Sequence, residues 1–168
     1  MVVGYDADFS IGHSDGRLIK RDSADLKQFK GFTRNHVCIV GRKTYDDVSK
    51  LPDRKWICLT RDKSIHNSDI LSSDTITHAI TFARQIAATY RMSKDIIIAG
   101  GAEIYNQALN LGLVDEIRAT IWQKSYGGDV RLDRSLLRNF DIADSTRLNT
   151  DDDDVAYVTE LVKLSQKY

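Results

Sequence analysis

The sequence predicts an α/β protein with a mixed, mostly parallel central sheet, flanking helices and a C-terminal antiparallel hairpin. Three short apolar segments, at 36–40, 55–60 and 95–99, are rich in β-branched residues and lack polar alternation, which is typical of strands buried on both faces. Helical patterns separate such segments, and two further strand patterns come last. A length of 168 residues suits one domain, and we expect a single domain over 1–168.

The composition excludes several classes of protein. Lys and Arg together number 24, as do Asp and Glu, so the formal net charge is zero, whereas a protein that coats nucleic acid carries a basic excess. No apolar run is long enough to cross a bilayer. We therefore expect neither a nucleic-acid nor a membrane partner. Cys38 and Cys58 lie inside apolar segments, which indicates reduced, buried thiols and a cytoplasmic location.

The N-terminal part of the chain predicts a strand, a loop and a helix. Residues 1–5 are short and apolar, as in a central strand, and the polar, glycine-bearing segment 13–23 is long enough to be a functional loop. Asp22 or Ser23 can cap the helix that follows.

The first turns of this helix place a carboxylate beside apolar residues. Asp25 and Phe29 are four residues apart, so they lie on the same side of the helix. One interpretation is an acid at the edge of an apolar pocket, where desolvation raises its pKa above about 3.9. The other is a carboxylate that only favours the helix dipole. The residue pattern leaves both open.

Two strand ends predict places for an anionic group. The strand at 36–40 ends in a glycine that is followed by two cations, a hydroxyl and a short helix at 45–49. The residues of this first corner are Gly41, Arg42, Lys43 and Thr44. The strand at 95–99 ends in a glycine pair, and a helix begins near Ala102 with Ile104 and Leu109 on its apolar face. Free N–H groups at a helix start bind anions, although glycine pairs also end strands for steric reasons.

The remaining segments complete the sheet. In chain order we expect a turn at 51–54, a strand at 55–60, a loop at 65–74 with a short strand near Ile70, a helix from a Thr77 cap to about Arg91, a strand at 116–122, and hairpin arms at 140–149 and 155–164. The helix has an apolar stripe of Ile80, Ala83, Ala87 and Tyr90. Four acids at 151–154 join the hairpin arms, and their spacing favours a solvated turn over a metal site.

Taken together, these segments resemble dihydrofolate reductase over nearly the whole chain. The resemblance depends on the order and spacing of short motifs rather than on any one of them. They are Ile11-Gly12, Ala24-Asp25-Leu26 with Phe29, Gly41 to Thr44, Leu51-Pro52 with Arg54, Ala99 to Tyr105, Thr120 and Gly128-Asp129.

The resemblance implies an oxidoreductase that forms tetrahydrofolate for one-carbon metabolism. Asp25 would pair with the pterin ring of dihydrofolate and promote protonation of its nitrogen 5, and Thr120 would support that carboxylate. Arg54 would bind the glutamate α-carboxylate through two hydrogen bonds. The substrate residues implied are Leu26, Phe29, Arg54 and Ala99.

NADPH is the cofactor that the resemblance implies, with no metal. The two glycine corners would bind its pyrophosphate, and Thr60 and Arg61 would lie by its 2′-phosphate. The peptide bond between the paired glycines would be cis. The cofactor residues implied are Ile11, Gly12, Gly41, Arg42, Lys43, Thr44, Thr60, Arg61, Gly100, Gly101, Ala102, Glu103 and Ile104.

The chain departs from the family in the loop before the acid. The usual Leu-Pro-Trp is replaced by Leu18, Ile19 and Lys20, and the loop is one residue longer than the common bacterial form. We expect solvent to satisfy Lys20 and the loop to be more often open, because proline and a buried indole are both missing. The usual Phe-Phe-Pro after Gly-Asp is replaced by Val130-Arg131-Leu132-Asp133. This sequence is similar to that of family members encoded by large bacteriophages.

Two other functions stay open at this point. A same-fold pyrimidine reductase of riboflavin synthesis is disfavoured by Asp25 and Arg54, which suit pterin and glutamate. A catalytically weak folate-binding or virion structural protein is favoured by the altered loop and disfavoured by the retained acid. We expect a monomer or a homodimer in the cytoplasm, and in the host cytoplasm if the chain is viral.

Overall fold

The structure, a computed structural model, describes residues 1–48, 50–62, 70–73 and 75–164. Its strands are β1 (Val2–Tyr5), β2 (Ser10–Gly12), β3 (Val37–Gly41), β4 (Lys55–Leu59), β5 (Ile70–Ser73), β6 (Ile96–Ile98), β7 (Glu116–Trp122), β8 (Val130–Arg131), β9 (Phe140–Leu148) and β10 (Ala156–Lys163). Its α-helices are α1 (Ser23–Thr33), α2 (Arg42–Val48), α3 (Ile76–Thr89) and α4 (Ala102–Asn110), and a short 3-10 helix spans Arg134–Asn139.

The strands form two four-stranded sheets and one two-stranded sheet. The strand orders are β1-β7-β10-β9, β5-β4-β3-β6 and β2-β8. Within the described residues, four of the six strand pairs in the larger sheets are parallel, and β10 pairs antiparallel with β7 and β9. The predicted α/β class, with a mostly parallel mixed sheet and a C-terminal hairpin, is confirmed.

Alternate side chains of β3 enter two separate cores, which explains why the strand is apolar throughout. Val37 and Ile39 lie in the main core, which also contains side chains of β1, β7, α3 and α4. Cys38 and Val40 lie in a second cluster, against Trp56 and under residues of α1 and α2. All four side chains are fully buried. The main core therefore joins the two larger sheets, and the second cluster packs α1 and α2 against β3. The predicted buried thiols, Cys38 and Cys58, are both buried and free.

Several predicted boundaries are wrong by a few residues. α2 begins at Arg42 rather than at residue 45, so the cations of the first corner belong to its first turn. Residue 49, the predicted end of this helix, lies outside the described residues. Most of the predicted loop at 65–74 also lies outside them. α3 is capped by Thr75 rather than Thr77, because the Thr75 hydroxyl accepts the N–H of His78 at 3.2 Å. The helix ends at Thr89, not near residue 91.

The apolar faces of α3 and α4 contribute most of the helical part of the main core. On α4 the predicted face is confirmed, because Ile104 and Leu109 are buried. On α3 the buried side chains include Ala83 and Ala87, but Tyr90 follows the helix end and is 60% exposed. Among the described residues, no helix has the combined length and hydrophobicity needed to cross a membrane.

Candidate active site

Asp25, the predicted acid, lies in the first turn of α1, facing β1. Asp22 caps the helix, and its Oδ1 accepts the backbone N–H groups of Ala24 at 2.9 Å and Asp25 at 3.2 Å. A side-chain carbon added at Gly4 would lie 3.8 Å from Asp25 Oδ2. Gly4 is paired with Thr120 in the parallel ladder between β1 and β7. The glycine therefore leaves room for the carboxylate, and the strand register places Thr120 beside it.

The environment of Asp25 favours its protonated form. Burial raises the pKa of the carboxyl, a hydrogen bond with Thr120 lowers it, and the charge of Asp22 raises it by a smaller amount. The net pKa shift is upward because desolvation is the largest effect. Asp25 thus keeps its proton to higher pH than an exposed aspartate. Of the two interpretations left open by the residue pattern, this geometry favours the desolvated acid.

Tyr105 belongs to the same site, although sequence reasoning gave it no role. Its hydroxyl donates a hydrogen bond to the Val2 carbonyl at 2.7 Å. A side-chain carbon added at Gly100 would lie 3.0 Å from that hydroxyl oxygen, so the ring packs directly against the glycine pair. Burial raises the pKa of Tyr105, and the nearby charge of Asp25 raises it further. Its place at the end of the 99–105 motif is the signal that could have identified it.

Arg54 is fixed in place by backbone carbonyls. Its Nε donates to Thr33 at 3.4 Å, and its two terminal nitrogens donate to Pro52 and, at 2.9 Å, to Lys30. These bonds use three of the five guanidinium N–H groups. The orientation of the guanidinium group is therefore fixed, and two of its N–H groups are left for a ligand. The other predicted substrate residues are half-buried Leu26 and Phe29 and buried Ala99.

The two predicted glycine corners lie side by side. The Gly41 N–H donates to the Gly100 carbonyl at 2.7 Å. A side-chain carbon added at Gly101 would lie 3.3 Å from the Thr44 hydroxyl oxygen, and one added at Gly41 would lie 3.1 Å from Ile104 Cγ1. Gly101 is also the N-cap of α4, with no side chain capping the helix start. The first N–H groups of α4 are therefore available to an anion at a place where only glycine leaves space. The Gly100–Gly101 peptide is cis, in agreement with the resemblance.

The remaining predicted cofactor residues surround this corner or lie on the strand that precedes the loop. Arg42 pairs with Asp46 one turn further along α2. Gly12, in β2, also has a purely structural reason to be glycine, because a side-chain carbon there would lie 2.7 Å from the Arg17 carbonyl oxygen. Lys43, Arg61 and Glu103 are exposed, whereas Ile11, Thr60 and Ala102 are half-buried. The exposed cations make this corner suitable for a phosphorylated cofactor such as NADPH.

The expectation that solvent satisfies Lys20 is wrong. The ammonium group pairs with Asp152 and, at 3.0 Å, with Asp154, and the side chain is only 17% exposed. It also lies 5.7 Å from the ring centroid of Trp122. Ile19 is buried in the same cluster as Trp122. The two acids lie 132 and 134 residues further along the chain, so local sequence could not reveal the contact.

The acids at 151–154, called the acidic turn below, contact the loop and helix start as well as solvent. The Asp151 carboxylate accepts the Ser23 N–H at 2.6 Å, and the Asp151 N–H donates to Asp22 Oδ2 at 2.8 Å. Asp154 accepts the Tyr126 hydroxyl at 2.5 Å. The predicted turn is solvent-exposed at residues 151–153, but the prediction missed these contacts with the loop and the helix start. In the described part of the chain, no group of three or more His, Cys, Asp or Glu could coordinate a metal ion.

Comparisons with known proteins agree with this geometry. The family model for dihydrofolate reductase matches residues 1–164. Dihydrofolate reductase type 6 from Proteus mirabilis is 34% identical over 103 residues, which cover 61% of this chain and 60% of that protein. Dihydrofolate reductase from Staphylococcus haemolyticus is 31% identical over 130 residues, covering 77% of this chain and 72% of that protein. The alignment with dihydrofolate reductase of Buchnera aphidicola, at 40% identity, spans 48% of that protein.

A solved structure shares the fold over almost its full length. It is dihydrofolate reductase from Enterococcus faecalis, complexed with NADP(H) and RAB-propyl, with a TM-score of 0.79. The likeness covers 98% of this chain and 95% of that one at 19% identity. The family match extends over most of the chain and includes the corners and the acid described above. The chain therefore belongs to the dihydrofolate reductase family.

Proposed function

We propose that this protein reduces dihydrofolate to tetrahydrofolate with NADPH as the reductant. The observation that carries the proposal is the position of Asp25, whose carboxylate lies beside Gly4 and Thr120 in a site where burial raises its pKa. Tyr105 packs against Gly100 and interacts electrostatically with Asp25, so the acid and the glycine pair belong to one site. An acid next to an anion-binding corner suits hydride transfer from a phosphorylated cofactor.

On the substrate side, Asp25 would bind the pterin ring and promote protonation of its nitrogen 5. Thr120 would fix the orientation of the carboxylate through the hydrogen bond that also lowers its pKa. Arg54, already oriented by three carbonyls, would bind the glutamate carboxylate with its remaining N–H groups. Leu26, Phe29 and Ala99 would supply apolar contacts.

On the cofactor side, the residues present fit NADPH. The uncapped start of α4 and the Thr44 hydroxyl beside Gly101 would bind the pyrophosphate. Arg61 would pair with the 2′-phosphate, which distinguishes NADPH from NADH. When bound, NADPH supplies the hydride.

A spectrophotometric assay tests the proposal. The purified protein should consume NADPH in the presence of dihydrofolate and not in its absence, and it should use NADH less well. Asp25→Asn serves as the matched control, because the amide keeps the shape of the side chain but has no acidic proton to donate. Absence of dihydrofolate-dependent NADPH consumption by a folded protein would overturn the proposal.

The observations give less support to a weakly catalytic or virion structural protein. The altered loop favoured that hypothesis, whereas Lys20 and Ile19 of this loop are both packed. A cytoplasmic location, a monomeric or homodimeric state and a viral origin stay predictions.

A further inference from the structure

The segment that precedes the acid, residues 13–22 and called the loop below, is attached to the rest of the protein near both of its ends. Near its start, the Ser14 N–H donates to Asp129 at 2.8 Å. Within the loop, the His13 N–H donates to the Arg17 carbonyl at 2.8 Å. At its end, Ile19 is buried in a cluster with Trp122. The loop is therefore anchored at both ends.

Lys20 is the charged part of this attachment. Its ammonium group pairs with both Asp152 and Asp154 and lies over the rings of Trp122 and Tyr126, at 5.7 and 5.5 Å from their centroids. Two carboxylates and two aromatic faces surround a single cation, and such contacts are stronger when the cation is partly desolvated. Lys20 is thus the side chain that links the loop to the acidic turn.

The acidic turn also contacts the start of α1. Asp151 accepts the Ser23 N–H and hydroxyl, and its own N–H donates to Asp22. Asp22 in turn caps the helix by accepting the N–H of Asp25. A continuous set of contacts therefore runs from Lys20 through the acidic turn to the backbone of the acid.

We propose that Lys20 is a positioning residue, which through Asp152 and Asp154 keeps the loop and the first turn of α1 in the arrangement that the reaction at Asp25 requires. The kinetic part of this proposal rests on the proposed function. The structural part, attachment of the loop by an ion pair, does not.

Limited proteolysis tests the structural part without any substrate. Trypsin can cleave after Arg17 and Arg21, which are exposed, but a protease needs the segment to leave the surface, so the cleavage rate reports the open population. Lys20→Met should raise cleavage after these residues by up to about fivefold, the factor at the upper end for a solvent-accessible ion pair. Lys20→Arg should restore slow cleavage after Arg17, because the charge is kept.

Lys124→Met is the matched control. Lys124 approaches the same carboxylate, Asp154, at 3.6 Å and lies 5.6 Å from the same Tyr126 ring, but it is 66% exposed and is not part of the loop. Removing it should leave cleavage unchanged. If Lys124→Met accelerates cleavage as much as Lys20→Met, charge imbalance in the acidic turn explains the effect and the proposal fails.

A double-mutant cycle tests whether Lys20 and Asp152 act through one shared interaction. Asp152→Asn should accelerate cleavage in the same way as Lys20→Met, and the two changes together should do less than the product of the single effects, because they remove one interaction. Independent effects would overturn the pairing. Thermal unfolding followed by circular dichroism should show each variant folded at the assay temperature.

Kinetics tests the positioning role. In a single turnover, Lys20→Met should slow hydride transfer while the dissociation constant of dihydrofolate changes less than twofold, and Lys20→Arg should restore the rate. Faster cleavage with an unchanged hydride rate would refute positioning but keep the attachment. A wild-type protein with no activity towards dihydrofolate would refute the proposed function, and the proteolysis result would still decide the attachment.

Discussion

Replacement of Thr120 by valine should raise the pKa that governs hydride transfer. The Thr120 side chain is nearly isosteric with valine, is 6% exposed, and is hydrogen-bonded to the Asp25 carboxylate. That bond lowers the pKa of Asp25, so it stabilises the charged form. Without it, burial and the charge of Asp22 act alone, and both raise the pKa.

The size of the shift follows from the strength of the lost bond. A hydrogen bond to a charged group contributes about 1.5–3 kcal/mol, and one pKa unit corresponds to about 1.4 kcal/mol. Asp25 is half-buried, so solvent replaces the lost donor only in part. We expect the midpoint to rise by about one unit or more in Thr120→Val.

The assay is the pH dependence of single-turnover hydride transfer, in which the rate should fall as Asp25 loses its proton. Asp22→Asn should shift the midpoint the opposite way, and by less, because the charge of Asp22 raises the pKa of Asp25 and acts more weakly than the Thr120 bond. Thr146→Val, on exposed β9, is the control for a threonine change in the same sheet. An unchanged or lowered midpoint in Thr120→Val would refute the assignment of Asp25 as the acid.

Other changes test the rest of the site. Asp25→Asn should lower turnover at neutral pH about a hundredfold or more. It should also raise the melting temperature at neutral pH, because a carboxyl with a raised pKa loses its stabilising contribution as pH rises through that pKa. Arg61→Gln should weaken NADPH binding more than tenfold and leave NADH binding unchanged, as titrations of both cofactors would show. Gly128→Ala should lower the melting temperature, because its side-chain carbon would lie 2.6 Å from a carbonyl oxygen of β2 and 2.8 Å from Ile19 Cγ2. Ile19→Pro combined with Lys20→Trp should slow the single-turnover hydride rate, since it removes a buried side chain and both ion pairs.

Elements that depend only on residues nearby in the sequence could be predicted. The β-branched run of β3 has to be apolar on both faces because each face enters a core. The Asp22 cap depends only on the two N–H groups that follow it. In both cases the information is local, and the structure agrees with the prediction.

Features that depend on distant partners could not be predicted in this way. The choice between Thr75 and Thr77 as a cap depends on where the chain leaves β5, and both residues are suitable in isolation. Tyr105 gains its role only because its hydroxyl reaches Val2, 103 residues earlier. Lys20 is an ordinary surface residue until the hairpin of β9 and β10 brings the acidic turn beside it.

The chemistry of the loop attachment also separates its pH response from that of the acid. Hydrogen bonds from Tyr126 and Lys20 lower the pKa of Asp154 to about 2, and hydrogen bonds to Asp152 and Asp154 raise the pKa of Lys20. A carboxylate with a depressed pKa stabilises the attached state above its ordinary range near 3.9, and this contribution is lost as pH falls towards 2. Neither group of the ion pair changes its charge near neutral pH, so pH in that range does not act through this pair. Salt should weaken the attachment of the loop, because it screens the partly exposed ion pair more than it screens Asp25. Ionic strength can therefore be used to perturb the ion pair at a pH where the charges of its groups are fixed.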